Sequence, residues 1–232
     1  MIKAALFDMD GLMFDTEPAY TIVHAAMWNR RGKKFTPEIK TSLMGKRAEE
    51  VMRTILSEHW KTDEKIEDLL KEQDDELSKI FRESVAKMPG LDVCLSLFDQ
   101  KNIRTCIGTS SRKFLADILL EYHDLSDKFE FIVSGEMVAR GKPDPEVYLT
   151  CADRLGLRPE ECLVLEDSPN GIRAGHAAGC FTCAIPSEYA KGGDFSAADI
   201  ICKTLADTKL RNIIEEKFFS GLKSDIDKQT LL

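Results

Sequence analysis

Two carboxylates stand two residues apart near the start of the chain, in "ALFDMDGLMFD", Ala5 to Asp15. An apolar run, Ala4 to Phe7, reads as a buried strand that breaks into Asp8, Asp10 and Asp15 around Gly11. Carboxylates held this close repel one another and lose hydration when buried, so such a cluster calls for a cation or a shared proton. If the chain stays extended past Phe7, Asp8 and Asp10 turn to the same side. Gly11 then permits the tight turn that carries the chain away. Asp15, at an apparent helix start, reads as a hinge or capping residue.

The elements that must position these groups follow from the apolar pattern. Short, partly β-branched runs recur at 2–7, 105–108, 131–133, 162–165, 181–185 and 200–202, with helix-periodic stretches at 113–122, 145–155 and 169–178 between them. Strand and helix alternating over short connections predict an α/β fold with a doubly wound parallel sheet and a Rossmann-like core. The gap from Asp15 to about Met88 lacks a strand signal. It carries helix starts at Thr16 before Pro18, at "TPE" (Thr36 to Glu38) and at "TDE" (Thr62 to Glu64). The last of these opens an amphipathic pattern with Ile66, Leu69, Leu70, Leu77, Ile80 and Phe81 on one face. Residues 17–85 are therefore expected to form a helical cap inserted into a core of 1–16 and 86–232. The crossings fall near Asp15–Thr16 and at Met88–Gly90, and the polar stretch after Ser220 is expected to be loosely held.

In an open parallel sheet the ligand crevice lies beyond the carboxyl ends of the strands. Those ends read "DMDG", then "GTSS" (Gly108 to Ser111), "GKPDPE" (Gly141 to Glu146) at a helix start, and "EDSPNG" (Glu166 to Gly171). Taken singly, Lys142 is an ordinary surface charge and "TSS" an ordinary helix cap. Together they bring carboxylates, hydroxyls and an ammonium to one crevice. On "DMDGLMFDTE", "TSSR", "GKPDPEVY" and "LEDSPNGI", the sequence resembles a haloacid-dehalogenase-superfamily phosphatase with a helical cap over nearly its whole length. "MGKRAEEV" and "GKPDPEVYL" are most similar to pseudouridine-5'-phosphatase-like and sugar-phosphate phosphatase members.

The resemblance implies a hydrolase acting on a small phosphoester, such as a nucleoside monophosphate or a sugar or polyol phosphate, through an aspartyl-phosphate. It implies that Asp8 is the nucleophile and Asp10 the acid and base. Thr109 and Lys142 would hold the phosphoryl oxygens. Mg²⁺ would be bound by Asp8, the Asp10 carbonyl and Asp167, with Glu166 orienting the shell or touching the metal. A hard cation lets an anionic carboxylate approach a phosphate, and Mg²⁺ favours a few carboxylates plus phosphate oxygens and water. Gly11 and Ser110 are expected beside the substrate. Glu17 and Tyr20 would line the cap entrance, and Lys46 or Arg47 of the "GKR" loop (Gly45 to Arg47) would meet the non-reacting part of the ester.

Composition sets the limits. The chain has 232 residues, 43% of them hydrophobic, and a formal charge of -8. That is ample for a packed core and opposed to an electrostatic nucleic-acid binder. No apolar run approaches the roughly 18 residues that span a bilayer, and no secretory leader is evident, so a cytoplasmic monomer is expected. The seven cysteines are odd in number. Cys94, Cys106, Cys162 and Cys202 lie in apolar segments, and Cys180 and Cys183 are spaced to face opposite sides of a strand, against a zinc site. His24, His59, His123 and His176 lack metal spacing and read as packing or helix-surface residues. Gly135 to Lys142 is not a P-loop, because five residues separate its glycines and Pro143 stands where Ser or Thr belongs. A phosphosugar mutase of the same superfamily would carry a cap histidine and arginine, where Tyr20 and Ala48 stand. A receiver-like phospho-switch would lack both the insertion and the second aspartate.

Overall fold

The computed structural model describes residues 1–43 and 46–216. Gly45 of the expected basic loop and the stretch after Ser220 lie outside the described residues. Six strands, β1 (Ala4–Phe7), β2 (Arg104–Gly108), β3 (Ile132–Val133), β4 (Cys162–Glu166), β5 (Phe181–Ala184) and β6 (Ile200–Ile201), form one sheet in the order 3-2-1-4-5-6. All neighbours pair in parallel. The order reverses at β1, so a crevice opens at the carboxyl ends of β1 and β4.

Alternation along each strand divides two apolar layers. Phe7, Ile107, Leu163, Leu165 and Cys183 face the side covered by α5 (Leu91–Gln100) and α6 (Lys113–Tyr122). Leu6, Cys106, Val164 and Cys162 face α7 (Glu146–Leu155) and α8 (Pro169–Ala177). Because both faces are buried, β1 and β4 read as unbroken apolar runs rather than alternating ones. Cys180 packs in one layer and Cys183 in the other, and all seven thiols are free and buried.

Between β1 and α5 lie α1 (Glu17–Arg30), α2 (Pro37–Leu43), α3 (Ala48–Thr54), which continues into a wider-pitched turn at Ile55–Trp60, and α4 (Ile66–Phe81). The α4 helix buries Leu69, Leu77 and Phe81 and also carries the buried polar pair Gln73 and Asp74. It begins later than "TDE" suggests. Glu64 is drawn into ion pairing with Arg31, and the Thr62 hydroxyl donates to Glu64, so neither caps the helix. Two paired crossings tie this helical segment to the sheet. Asp15 N–H donates to the Ala86 carbonyl and Met88 N–H to the Met13 carbonyl, at 2.9 and 2.8 Å. Among the described residues no helix is long and apolar enough to cross a membrane.

Candidate active site

Asp8 is the first residue past β1, and its N–H still donates to the Leu165 carbonyl, continuing the β1–β4 pairing for one residue. That register sets Asp8 beside Glu166 and Asp167 at the end of β4. Lys142, from the loop before α7, enters the same place. Its Nζ lies 2.5 Å from Asp8 Oδ1, 2.7 Å from Glu166 Oε1 and 2.9 Å from the Gly108 carbonyl. The side chain is 4% exposed, so the residue that alone would read as a surface charge is buried at the crevice floor. Burial works against its ammonium, but Asp8 and Glu166 outweigh that effect and hold its pKa above the ordinary lysine value.

Glu166 is saturated. Lys142 and the Tyr148 hydroxyl occupy Oε1, while the N–H and Oγ of Ser168 donate to Oε2 at 2.9 and 3.0 Å. Its two oxygens are thus spent on fixing Lys142 and the start of α8. Gly171 leaves the space this requires, since any Cβ there would overlap the Glu166 carboxylate. Asp8, Glu166 and Asp167 each place an oxygen within 4.8 Å of the others. Three buried carboxylates meet one ammonium, an unneutralised arrangement of hard oxygen donors that fits a divalent cation. Burial, followed by repulsion from Glu166, pushes both Asp8 and Asp167 above the usual carboxylate range.

Asp10 is held from both sides. Thr16 Oγ1 donates to Oδ1 at 2.8 Å, and Ser111 Oγ and Thr109 Oγ1 donate to Oδ2 at 2.7 and 3.3 Å. Burial raises its pKa against these bonds, which favour the charged form. The Thr16 hydroxyl therefore serves Asp10 rather than capping α1. Gly11 has φ +78°, and a Cβ there would collide with the Asp167 carboxylate. Gly11→Ala is expected to cost about 2 kcal/mol or more from left-handed strain plus displacement of Asp167. Denaturant titration checks this, and wild-type stability would mean that the turn relaxes freely.

A cavity of about 460 Å³ opens above these groups toward the helical segment. Asp8, Asp10, Glu17, Tyr20, Lys46, Ser110, Lys142 and Asp167 lie on its wall. Three expected residues do not. Thr109 is buried behind the wall, its hydroxyl turned to Asp10 and to the Ser111 N–H. Gly11 sits beneath Asp167. Arg47 is turned away to Glu50 and the Val138 carbonyl, with its stem packed over Gly135 and Gly141. Of the expected pair Lys46 lines the cavity, as does Lys40 from α2, which pairs with Glu17 at 3.3 Å and stands over the Tyr189 ring at 4.6 Å. His24 lines the cavity, hydrogen-bonded to Gln73 at 2.8 Å. Sequence reasoning passed over Thr16, Lys40, Ser111 and Tyr148. Ser111 and Tyr148 lay inside "TSSR" and "GKPDPEVY", whereas Lys40 had no signal beyond its helix.

Residues 5–185 match the family described as haloacid dehalogenase-like hydrolase. The phosphorylated carbohydrates phosphatase of Thermotoga maritima is 34% identical over 178 residues, 77% of this chain and 82% of that protein. A Drosophila melanogaster protein named "Probable pseudouridine-5'-phosphatase" is 32% identical over 214 residues, 90% of this chain and 92% of that one. The crystal structure of CbbY from Rhodobacter sphaeroides in complex with phosphate superposes with a TM-score of 0.80 at 25% identity, covering 89% of this chain and 96% of that chain.

Proposed function

This chain belongs to the haloacid dehalogenase-like hydrolase family, and we propose that it is a magnesium-dependent phosphomonoesterase that works through a phosphoryl group carried on Asp8. The observation behind this reading is the buried cluster of Asp8, Glu166 and Asp167 against Lys142, open to a cavity. With Glu166 saturated, Asp8, Asp167 and the Asp10 carbonyl are the groups that would hold Mg²⁺. When bound, the ion supplies the charge neutralisation that lets a carboxylate meet a phosphate.

The chain's own groups divide the rest of the work. An Asp8 carboxylate oxygen attacks phosphorus, forming the Asp8–phosphorus bond as the ester oxygen departs. Asp10 gives its proton to that oxygen and then takes one from the water that cleaves the phosphoryl-aspartate. The alcohol and inorganic phosphate leave, and both aspartates return to their starting states. Lys142 stabilises the equatorial phosphoryl oxygens, where charge is spread in the transition state. Ser110 flanks the same oxygens, and Thr109 acts from behind by holding Asp10. Residues 17–85 serve as a cap that closes over the site and excludes water. Hydrolysis is favoured over phosphosugar transfer because Tyr20 and Ala48 stand where a mutase of the superfamily would carry a cap histidine and arginine. Sugar phosphates and nucleoside monophosphates, including pseudouridine-5'-phosphate, are the proposed substrates, in line with the related phosphatases. Seven free buried thiols support a reducing, cytoplasmic setting.

The test is phosphate release from p-nitrophenyl phosphate and a panel of these esters. Release is expected with Mg²⁺ and not after chelation, and no release from any ester would overturn the reading. Metal binding has its own readout. Mg²⁺ at a hundredfold excess over its dissociation constant should raise the melting temperature of chelator-treated protein by on the order of 5 °C. Asp167→Ala should remove most of that shift, and an undiminished shift would take Asp167 out of the metal site.

A further inference from the structure

Tyr20 carries a hydroxyl that its packing does not use. Its ring lies edge-on to Phe81 with centroids 6.2 Å apart and tilts against His24 at the same distance, contacts that phenylalanine would make equally well. The hydroxyl crosses from α1 to the sheet and meets Ser111 Oγ at 2.8 Å. Ser111 Oγ in turn lies 2.7 Å from Asp10 Oδ2, while Thr16 holds Oδ1. Three residues from three separate segments thus form one chain of hydrogen bonds that ends on the carboxyl assigned to proton transfer.

The chain has a defined logic. A hydroxyl has a single proton to donate. Ser111 gives its proton to Asp10 Oδ2 at 2.7 Å, so the Tyr20 hydroxyl donates to Ser111 Oγ, and the phenol fixes the rotamer of the serine that holds the carboxyl. Without the phenol, the Ser111 hydroxyl loses the partner that holds its rotamer, and Oδ2 is left with Thr109 at 3.3 Å as its other anchor.

We infer that Tyr20 is a positioning residue for the acid–base carboxyl of Asp10, acting through Ser111 and not through the substrate. The inference rests on the phosphatase reading above and adds to the place of Tyr20 on the cavity wall. Tyr20 belongs to the helical segment and Asp10 to the β1 end of the sheet, so the hydrogen-bond chain links the two.

The experiment compares kcat/KM for an alkyl phosphate, whose departing oxygen needs a proton, with kcat/KM for p-nitrophenyl phosphate, whose departing oxygen needs little. The proteins are the wild type, Tyr20→Phe, Ser111→Ala and the double variant. Tyr20→Phe should lower the alkyl value about tenfold through kcat, with KM little changed, the scale of one functional hydrogen bond. The p-nitrophenyl value should fall less than about threefold, because the acid contributes little to that bond cleavage. Ser111→Ala should show the same selectivity, and the double variant should be no worse than the poorer single one, as two links of one chain require. Equal losses on both esters, losses that multiply in the double variant, or no loss would overturn the inference while leaving the phosphatase reading intact. A wild type that turned over neither ester would overturn both. Tyr20→Phe removes one oxygen from a packed ring, and an unchanged near-ultraviolet circular dichroism spectrum separates the effect from a folding defect.

Discussion

Asp8→Asn protein is expected to fold as the wild type does and to lose turnover by more than about a thousandfold. The amide has the shape of the carboxylate, so the β1–β4 register that places it is unaffected. What changes is chemistry. An amide oxygen is a poor nucleophile toward phosphorus and a weak ligand for a hard cation. The substitution also removes one of three crowded negative charges, so the melting temperature in the absence of metal should hold or rise. Lys142 keeps Glu166 and the Gly108 carbonyl as partners. Steady-state kinetics on protein checked for deamidation reads the result, and retention of more than a few per cent of activity would remove Asp8 from the nucleophile's place.

Lys142→Ala is the converse case, with a large effect on stability as well as on rate. Its ammonium is the buried cation among Asp8, Glu166 and Asp167, and removing one partner from a buried ionic cluster costs about 3–5 kcal/mol. For a chain of this size that corresponds to a fall in melting temperature on the order of 10 °C. The pH dependence has a definite sign. Burial and mutual repulsion already raise the Asp8 and Asp167 pKa values, and loss of the ammonium raises them further. A carboxyl with a raised folded-state pKa favours the fold while protonated, fully below its unfolded value near 4, and loses that contribution as pH rises through its folded value. The variant's deficit should therefore shrink as the solution is acidified toward pH 4, and Mg²⁺ at neutral pH should restore part of it. A deficit under about 1 kcal/mol with no pH trend would show that Lys142 does not balance these charges.

The strands were legible because β1 and β4 are buried on both faces and therefore read as continuous apolar runs that end abruptly in charge. Asp8, Asp10, Lys142 and Asp167 were legible for a related reason. Asp8, Asp10 and Asp167 closely follow β1 and β4 at the carboxyl edge of the sheet, where topology alone predicts convergence, while Lys142 was marked by its place just ahead of a helix start. Hydrogen bonds that depend on the docking of distant segments were not legible. Tyr20 and Ser111 lie 91 positions apart, and nothing in either neighbourhood announces the other. The direction taken by Arg47 was not legible for a similar reason. A basic residue in a loop over the crevice can face the cavity or fold back on the scaffold, and the close approach of Gly135 and Gly141 provides the surface it packs against. Glu166 was ambiguous in the sequence, as a metal ligand or a supporting group. What the sequence did not reveal is that Lys142, Tyr148 and Ser168 all hydrogen-bond to its two oxygens. The start of α4 was misplaced because Glu64 satisfies Arg31 across the insertion, a tertiary demand that outweighs a local capping pattern.

On this mechanism the phosphoryl group passes through Asp8. Enzyme quenched in acid while turning over its best ester, then reduced with borohydride and digested, reports this directly, because reduction of an acyl phosphate converts the aspartate to homoserine. The account predicts homoserine at position 8, dependent on both substrate and Mg²⁺ and absent from enzyme quenched without substrate. Homoserine at another carboxylate, with Asp8 unmodified, would contradict it.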